Sequence, residues 1–475
     1  VDSHPSTFTD SLFNAVPREL PRLDPGFRPL SLGLKAYRQA LAECPSRDRV
    51  CIALEQTPGR ISRKDLEIFP EAAGRSADNL RYVATMLNFL LWSWGGWRVV
   101  ISGPEDLCQA IAADYAPGGA RAFDAGIMGQ AFDRPFEIRV VAAAEVPEAS
   151  HQPLVLGGNL EGCRIGFDLG ASDYKVAAVL DGEAVFSAEL PWDPKVEPDP
   201  AYHYDRIQAG LRLAASHLPW VDAIGGSSAG ILVDNQVMVA SLFRAVPPAL
   251  FHEQVKPLFQ RLQAEWGIPL EVINDGDVTA LAGALSLEMT GMLGIAMGSS
   301  EAAGFLDRSG RITGWLNELA FAPVDANPEA GTDDWSGNPG IGAAYFSQQA
   351  VNKLAVPAGL SFPDDLGLPE RLKRVQTLMD GGDPAAQAIF ETIGIYLGYV
   401  IPWYAEFYDM EHAMILGRVT SGPGGELILR KAKEILAAEF PEVAQRIEIF
   451  LPDEKSRRVG QAVAAASLPK SGVRP

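Results

Sequence analysis

Short apolar runs of period two and longer amphipathic stretches of helical period succeed one another along the chain, which predicts a mixed α/β protein. From residue 49 the pattern reads as a strand over 50–55, a turn at Pro58-Gly59, a helix over 79–94, a strand over 97–102, a helix opening at Pro104-Glu105-Asp106 and a strand over 136–143. Residues 1–32 are rich in Pro, Arg and Asp with little periodicity, and read as an extended arm lying on the surface of something else. The segment 145–158 carries Pro147, Pro153 and a Gly157-Gly158 pair and reads as a linker.

Beyond the linker the pattern predicts a strand pair over 163–190, a helix over 204–216, a strand over 221–227, a short strand at Val237, a helix over 250–266 and a strand over 270–273. The theme then recurs, with a helix over 277–287, a hairpin over 293–307, an irregular stretch, paired helices, a strand over 413–416 and a helix over 426–439. Two halves that each begin with a hairpin and run through helices into a mixed sheet imply a duplicated fold with a cleft between them. The expected division is an N-terminal α/β unit with its arm and linker (1–158), a first half (159–286) and a second half (287–475). The strands beginning at Val50 and Leu66 loosely echo the hairpin at 165, so the N-terminal unit reads as a degenerate copy of the same half or as an oligomer or lid module.

Composition narrows the function classes. At 475 residues the chain suits two or three domains, each with a proper core. The net charge of −20 argues against nucleic acid, and residues 1–160, with 16 basic and 19 acidic side chains, lack the basic helix-turn-helix that a DNA-binding arm needs. The four cysteines, Cys44, Cys51, Cys108 and Cys163, have no Cys-x-x-Cys spacing, so free thiols in a reducing, cytoplasmic setting are expected. The N-terminus lacks a basic-then-apolar leader, and the uncharged run 82–97 is too short and polar to span a bilayer, so no membrane partner is expected.

Four segments carry candidate chemistry. In Ile165-Gly-Phe-Asp-Leu-Gly-Ala-Ser-Asp-Tyr-Lys175 an apolar strand delivers Asp168 and turns at Gly170. Backbone N–H groups in such a turn can grip a phosphate, and the carboxylate can hold Mg²⁺ through water; a plain β-turn is the alternative. Val272-Ile-Asn-Asp-Gly-Asp277 sets Asn274 and Asp275 where a strand stops and a helix begins. A carboxylate there can take the proton of an attacking hydroxyl while Asn274 orients the same substrate, or the pair can be an ordinary N-cap. Gly298-Ser-Ser-Glu301 joins a second strand pair through small residues that would admit another phosphate, although Glu301 beside it is unwelcome. Gly417-Arg-Val-Thr-Ser-Gly-Pro-Gly-Gly425 is a Gly-rich loop between strand and helix, able to cover an adenine or ribose or simply to turn the chain.

In order and spacing these segments resemble the first phosphate, catalytic, second phosphate and adenosine elements of actin-like sugar kinases, and most of all those of the ROK (repressor, open reading frame, kinase) family, over about residues 163–467. Asn317-Glu-Leu-Ala-Phe-Ala-Pro-Val-Asp325 and Gly337-Asn-Pro-Gly-Ile-Gly-Ala-Ala-Tyr-Phe-Ser347 fall where that family has its Gly-Glu-x-Gly-His and Cys-rich segments, and the Ala-rich 459–466 is similar to its closing helix. The resemblance implies a duplicated actin-like (ribonuclease H-like) ATPase fold using ATP and Mg²⁺. Asp275 would be the base, with Asn274, Glu318, Ser228 and Gly230 at the sugar or polyol. Asp168, Gly170, Ala171, Ser172, Lys175, Gly298, Ser299, Ser300, Gly417 and Arg418 would serve the nucleotide, Asp168 holding Mg²⁺ through water.

The chain also departs from that pattern. The family's zinc-binding His falls on Phe321, its cysteines on residues such as Ile341, and a further sugar-contacting Glu on Ala343, so no structural zinc is expected and glucose itself is in doubt. The expected activity is an ATP-dependent carbohydrate kinase, with a homo-oligomer as its assembly. A sugar or nucleotide sensor of the same fold without turnover is the second reading.

Overall fold

The computed structural model of the chain describes residues 10–150, 156–170, 173–452 and 460–470. Three sheets dominate it, one in each of the three sequence segments.

The first half is built on β5 (Cys163–Leu169), β6 (Asp173–Leu180), β7 (Glu183–Pro191), β8 (Ala223–Ser228) and β11 (Leu270–Asn274) in the order β11-β8-β5-β6-β7. β5, β6 and β7 form an antiparallel meander, whereas β8 and β11 run parallel to β5. The crossovers that parallel pairing requires are helical: α5 (Pro200–Ala215) leads to β8, and α6 (Pro248–Leu250), a π-turn and α7 (Leu258–Trp266) lead to β11. A small hairpin of β9 (Ile231–Val233) and β10 (Gln236–Val239) stands between them.

The second half repeats this scheme with one strand fewer. β12 (Met292–Met297) and β13 (Glu301–Leu306) are antiparallel, and β14 (His412–Leu416) and β15 (Glu448–Phe450) lie parallel to β12 on its other side. In place of a third meander strand, residues 307–347 wander as loops and 3₁₀ turns. They lead into α9 (Gln348–Ala355), α10 (Leu368–Asp380), α11 (Pro384–Tyr404) and, after β14, α12 (Pro423–Glu439) and α13 (Pro441–Arg446). α11 is buried over nearly its whole length, and Gly394 and Gly398 on it let α12 approach so closely that added Cβ atoms would meet the Ile428 and Ala432 carbonyls at 2.8 and 2.9 Å. No described helix is long and apolar enough to cross a membrane.

The N-terminal unit contains β1 (Asp48–Thr57), β2 (Arg60–Ile68), β3 (Arg98–Ser102) and β4 (Glu137–Val140), with α1 (Leu30–Ala42), α2 (Ser76–Ser93), α3 (Glu105–Asp114) and α4 (Ala122–Ala131). It is not a copy of the actin-like half. The strand that returns beside β1 is antiparallel to it, whereas β8 is parallel to β5. Its apolar residues merge with those of the second half into one continuous core, while the first half has a core of its own.

Residues 10–29, the described part of the expected arm, are irregular and largely on the surface, with Val16 and Leu20 56% and 44% exposed, but two rings anchor them in the core. Phe13 and Phe27 are 1% and 0% exposed, and Phe27 packs edge-on against Tyr396 at 4.7 Å. Residues 28–31 are stitched to the second half by Arg28 N–H to Asp325 at 2.9 Å, Ala326 N–H to the Arg28 carbonyl at 2.7 Å and Ser31 Oγ to the Tyr399 carbonyl at 2.6 Å. Helix α1, which the reading of the sequence missed, follows at once.

The last described helix, α14 (Gln461–Ala466), returns from the second half to cover the sheet of the first. It can do so because Gly166 on β5 and Gly225 on β8 present bare backbone: a Cβ on either would lie 1.6 Å from the Ala462 carbonyl or 1.7 Å from the Ala465 carbonyl. Gly225→Ala is therefore expected to destabilise the protein by about 1–3 kcal/mol or more, as overpacking does, read as a lowered urea midpoint; a midpoint equal to that of the parent chain would show that α14 is not seated on this sheet.

Candidate active site

Parallel strands end together, so their last residues form one rim. Register pairs Asp168 with Ser227, and Leu169 and Asn274 each with Ser228, bringing the ends of β5, β8 and β11 side by side. Ser227 Oγ donates to Asp168 Oδ1 at 2.8 Å, fixing the carboxylate at the strand end. Lys175 lies opposite Asp168 across the hairpin, exposed, and its charge favours the ionised carboxylate, yet burial still leaves the Asp168 pKa raised overall. Gly170 follows, where a Cβ would meet the Asp173 carbonyl oxygen at 2.7 Å. Ala171 and Ser172, expected in this phosphate turn, lie outside the described residues.

At the end of β11 the chain turns into α8 (Asp275–Leu287), and Asn274 is the N-cap of that helix. Asn274 Oδ1 accepts from Gly276 N–H at 2.7 Å as an N-cap, and its Nδ2 donates to the Gly230 carbonyl at 2.9 Å. This cap leaves Asp275 in the first helical turn, where burial and the neighbouring Asp168 push its pKa up to about 6. Asp277, two residues on, is 4% exposed and pushed up to about 7 by burial. Its Oδ1 accepts from Phe305 N–H at 3.1 Å and Asn317 Nδ2 at 2.8 Å. Glu318 completes the group, raised to about 7 by burial and by the charges of Asp275 and Asp277. Asp168, Asp275, Asp277 and Glu318 thus form one cluster of carboxyl groups at the N-terminus of α8.

Glu318 reaches this cluster through the N-terminal unit. The backbone N–H groups of Leu316, Asn317 and Glu318 donate in turn to the carbonyls of Trp94, Ser93 and Trp92, at the C-terminal end of α2. Those carbonyls have no partner within their own helix, so the 316–318 segment satisfies them. Asn317 sits there at φ +53° and accepts from Tyr408 OH at 2.9 Å. Ser227, Asp277 and Asn317 are the site residues that reading the sequence did not single out. Asp277 had a local signal, a third polar residue in the helix N-terminus. Asn317 had none, because its role depends on a residue 40 positions away.

Two of the elements expected at the nucleotide, the Gly417 loop and the Gly298 turn, lie side by side. Gly417, at φ +102°, lies against the end of β12, where a Cβ would be 2.6 Å from the Met297 carbonyl oxygen, and Val419 N–H donates to that carbonyl at 3.1 Å. The Gly-rich loop therefore abuts the turn of Gly298, Ser299 and Ser300, whose two serines are exposed. Arg418 offers its carbonyl to Gln376 at 2.7 Å. Glu301 does not crowd this turn: it is 3% exposed, points into the second half to accept from Tyr404 OH at 3.1 Å, and is pushed up to about 8 by burial.

Phe321, where the resemblance would put a zinc-binding His, packs on Trp92 with ring centroids 4.8 Å apart at a 33° tilt and joins Phe123 and Trp335 in an aromatic cluster bridging the N-terminal unit and the 319–338 loops. Beside it Asp124, fully buried, accepts from Asn88 Nδ2 at 2.6 Å and Asn338 Nδ2 at 2.7 Å. Among the described residues no group of three or more His, Cys, Asp or Glu is arranged to hold a metal ion. Ser228 is buried at its strand end, and Gly230, at φ +115°, packs against Val239 and Ala240.

No family model and no curated protein matches the chain by sequence. Solved structures do match. A ROK family transcriptional regulator, a homologue of the E. coli Mlc protein, aligns with a TM-score of 0.52 at 18% identity, over 65% of this chain and 79% of its own. A ROK hexokinase from Thermus thermophilus (TM-score 0.48, 18% identity, 64% and 97% coverage) and a ROK glucokinase from Streptomyces griseus solved with glucose and AMPPNP (0.47, 19%, 64% and 98%) are also similar. Over the 65% of the chain that aligns, the fold is that of ROK family proteins, the duplicated actin-like fold that the order of its motifs resembles.

The carboxyl cluster makes stability depend on pH. Each group is protonated more readily in the folded chain than in an unfolded one, so the native state holds extra protons and loses stability as pH rises, for Asp277 from about pH 4 to about pH 7. Asp277→Asn keeps the acceptor oxygen for Phe305 and Asn317 but removes the charge. It is expected to stabilise the protein by up to about 4 kcal/mol at pH 8, a gain that shrinks toward zero as pH is lowered to 4. Thermal melts across that range test this, and a pH-independent difference would refute it.

Proposed function

We propose that the protein is an ATP-dependent carbohydrate kinase in which Asp275 is the general base. The observation that carries this reading is the environment of Asp275: a carboxyl group at a strand-to-helix rim whose pKa, raised to about 6, suits proton abstraction near neutral pH. The transferable proton is that of a sugar or polyol hydroxyl, and Glu318 is positioned to accept a second hydroxyl. Asn274, whose oxygen and one N–H are held by Gly276 and Gly230, keeps the α8 N-terminus fixed and has a single N–H left for substrate.

The turn after Asp168, the Gly298 turn and the Gly417 loop are assigned to the triphosphate and adenosine. Exposed Ser299 and Ser300 supply hydroxyl and backbone N–H donors, and Gly417 lets the loop lie flat on the β12 end. The donor set fits Mg²⁺. Asp168 and Asp275 put two carboxylates at one rim with Lys175 as a counter-charge, and a hard divalent ion bound through water and phosphate oxygens needs no larger protein cage. When bound, that ion would neutralise charge on the transferring phosphoryl group.

A second reading, a sensor that binds sugar or nucleotide without turnover, has its own support. Ala343 stands where the resemblance would put a sugar-contacting Glu, the side chain of Asn274 is largely committed to backbone, and one of the similar structures is a transcriptional regulator.

ATP consumption with Mg²⁺ across hexoses, amino sugars and polyols separates the two. Turnover on at least one acceptor is expected, with Asp275→Asn lowering it roughly 10²- to 10⁴-fold. Turnover unchanged in that variant would remove Asp275 as base; binding without turnover would leave the sensor.

A further inference from the structure

The division of cores between the first half and the rest of the molecule has one exception. Ile231 of β9 is 7% exposed and belongs to the core shared by the N-terminal unit and the second half, although β9 and β10 are part of the first half. Strand alternation lets one hairpin serve two cores. Leu232 and Val237 pack on the first half's own core, while Ile231, Val233 and Met238 pack on the other. A register shift between Val237 and Val239 lets Val239 join the second set. Helix α4 of the N-terminal unit lies against both strands.

The hairpin is a stiff lever on the first half. Asp234 and Asn235 at its turn have φ of +50° and +59°, the pair of left-handed residues that a two-residue type I′ turn needs. Asn235 fastens the turn to β11, its Nδ2 donating to the Leu270 carbonyl at 2.7 Å and its Oδ1 accepting from Val272 N–H at 2.8 Å. Val237 N–H donates to the Lys256 carbonyl at 3.0 Å, and the Lys256 ammonium meets Asp133, just beyond α4, at 3.0 Å. Burial depresses the Arg60 pKa and the charge of Asp234 opposes that shift, so a second attraction joins the N-terminal unit to the hairpin. Asp133 is exposed and its ion pair is screened, which leaves the apolar face as the main grip. Beside that face lies a cavity of about 410 Å³ lined by the hairpin, Phe132 and Trp315, so the two surfaces touch along an edge and not throughout.

We propose that the N-terminal unit is a releasable clamp across the cleft, fused to the second half by a common core and gripping the first half through the β9–β10 hairpin. Turning of one actin-like half against the other then requires this grip to let go. Packed units rotate about their interfaces when a cleft opens, and an interface that bridges the cleft sets how far they go. The clamp needs neither ligand nor turnover, and so stands apart from the kinase reading.

Electron–electron distance measurements on the spin-labelled full chain test it, with the exposed Val185 of β7 and Val356 at the end of α9 changed to cysteine for labelling, and the half-buried Cys44 and Cys51 changed to serine. The parent is expected to give one narrow distribution. Met238→Asp, which sets a charge in the apolar face turned to the N-terminal unit, should broaden it and speed amide exchange over β9 and β10 about tenfold, with exchange over β5 and β6 unchanged. Lys256→Glu should broaden it less, and Asp133→Lys added to that chain should restore it; this pair carries the test if Met238→Asp does not fold. A broad distribution in the parent would overturn the proposal. So would a folded Met238→Asp chain as narrow as the parent, or a Lys256→Glu broadening that the charge swap does not reverse.

Discussion

Two backbones touch where α8 crosses β13. A Cβ on Gly276 would lie 2.2 Å from the Ala303 carbonyl oxygen, and a Cβ on Gly304 would lie 2.2 Å from the Gly276 carbonyl oxygen, so the helix start and the strand meet with no side chain between them. Much else follows from that contact. It brings the first turn of α8, which grows out of the first half, against the hairpin of the second, close enough for Phe305 N–H to reach Asp277. Asp275 is carried between Asp168 on one side and Glu318 on the other, and the repulsion among these groups is the electrostatic property of the site. A seam of closely apposed backbone is what keeps four carboxyl groups together despite that repulsion.

The N-terminal unit takes part in the same construction. Its core runs without a break into that of the second half, and the end of α2 supplies the carbonyls that hold residues 316–318. The aromatic cluster of Trp92, Phe123, Phe321 and Trp335, with the buried Asp124 tying Asn88 to Asn338, fastens loops that carry little regular structure of their own. The unit is therefore a buttress to the candidate site.

The parts of this arrangement that were legible in the sequence are those written in local chemistry. Alternating apolar runs announced the hairpins around 165 and 294, and Asn-Asp after an apolar strand announced the start of α8. Helix α1 was not legible, because Leu30, Leu32 and Leu34 alternate like a strand and Gly33 interrupts them; its helical state is secured by packing on α11, far along the chain. Phe13 and Phe27 looked like isolated residues of a polar arm, since the tyrosines that receive Phe27 lie more than 300 positions away. The candidate site divides in the same way. Asp168 and Asp275 stand at strand ends that periodicity can find, whereas Asn317 acquires its function from a left-handed backbone and a long-range partner, and no neighbour in sequence encodes either.

The seat of α14 on Gly166 and Gly225 has a consequence for the order in which the molecule is made. The sheet that receives this helix is complete in sequence once β11 has emerged from the ribosome, but the alanines that cover its glycine face arrive only after the whole second half. At ordinary rates of synthesis that interval is about 10 to 40 s. Throughout it the first half is a sheet with one face open, and α14, the last described helix, is the cover that finishes the earlier of the two actin-like sheets.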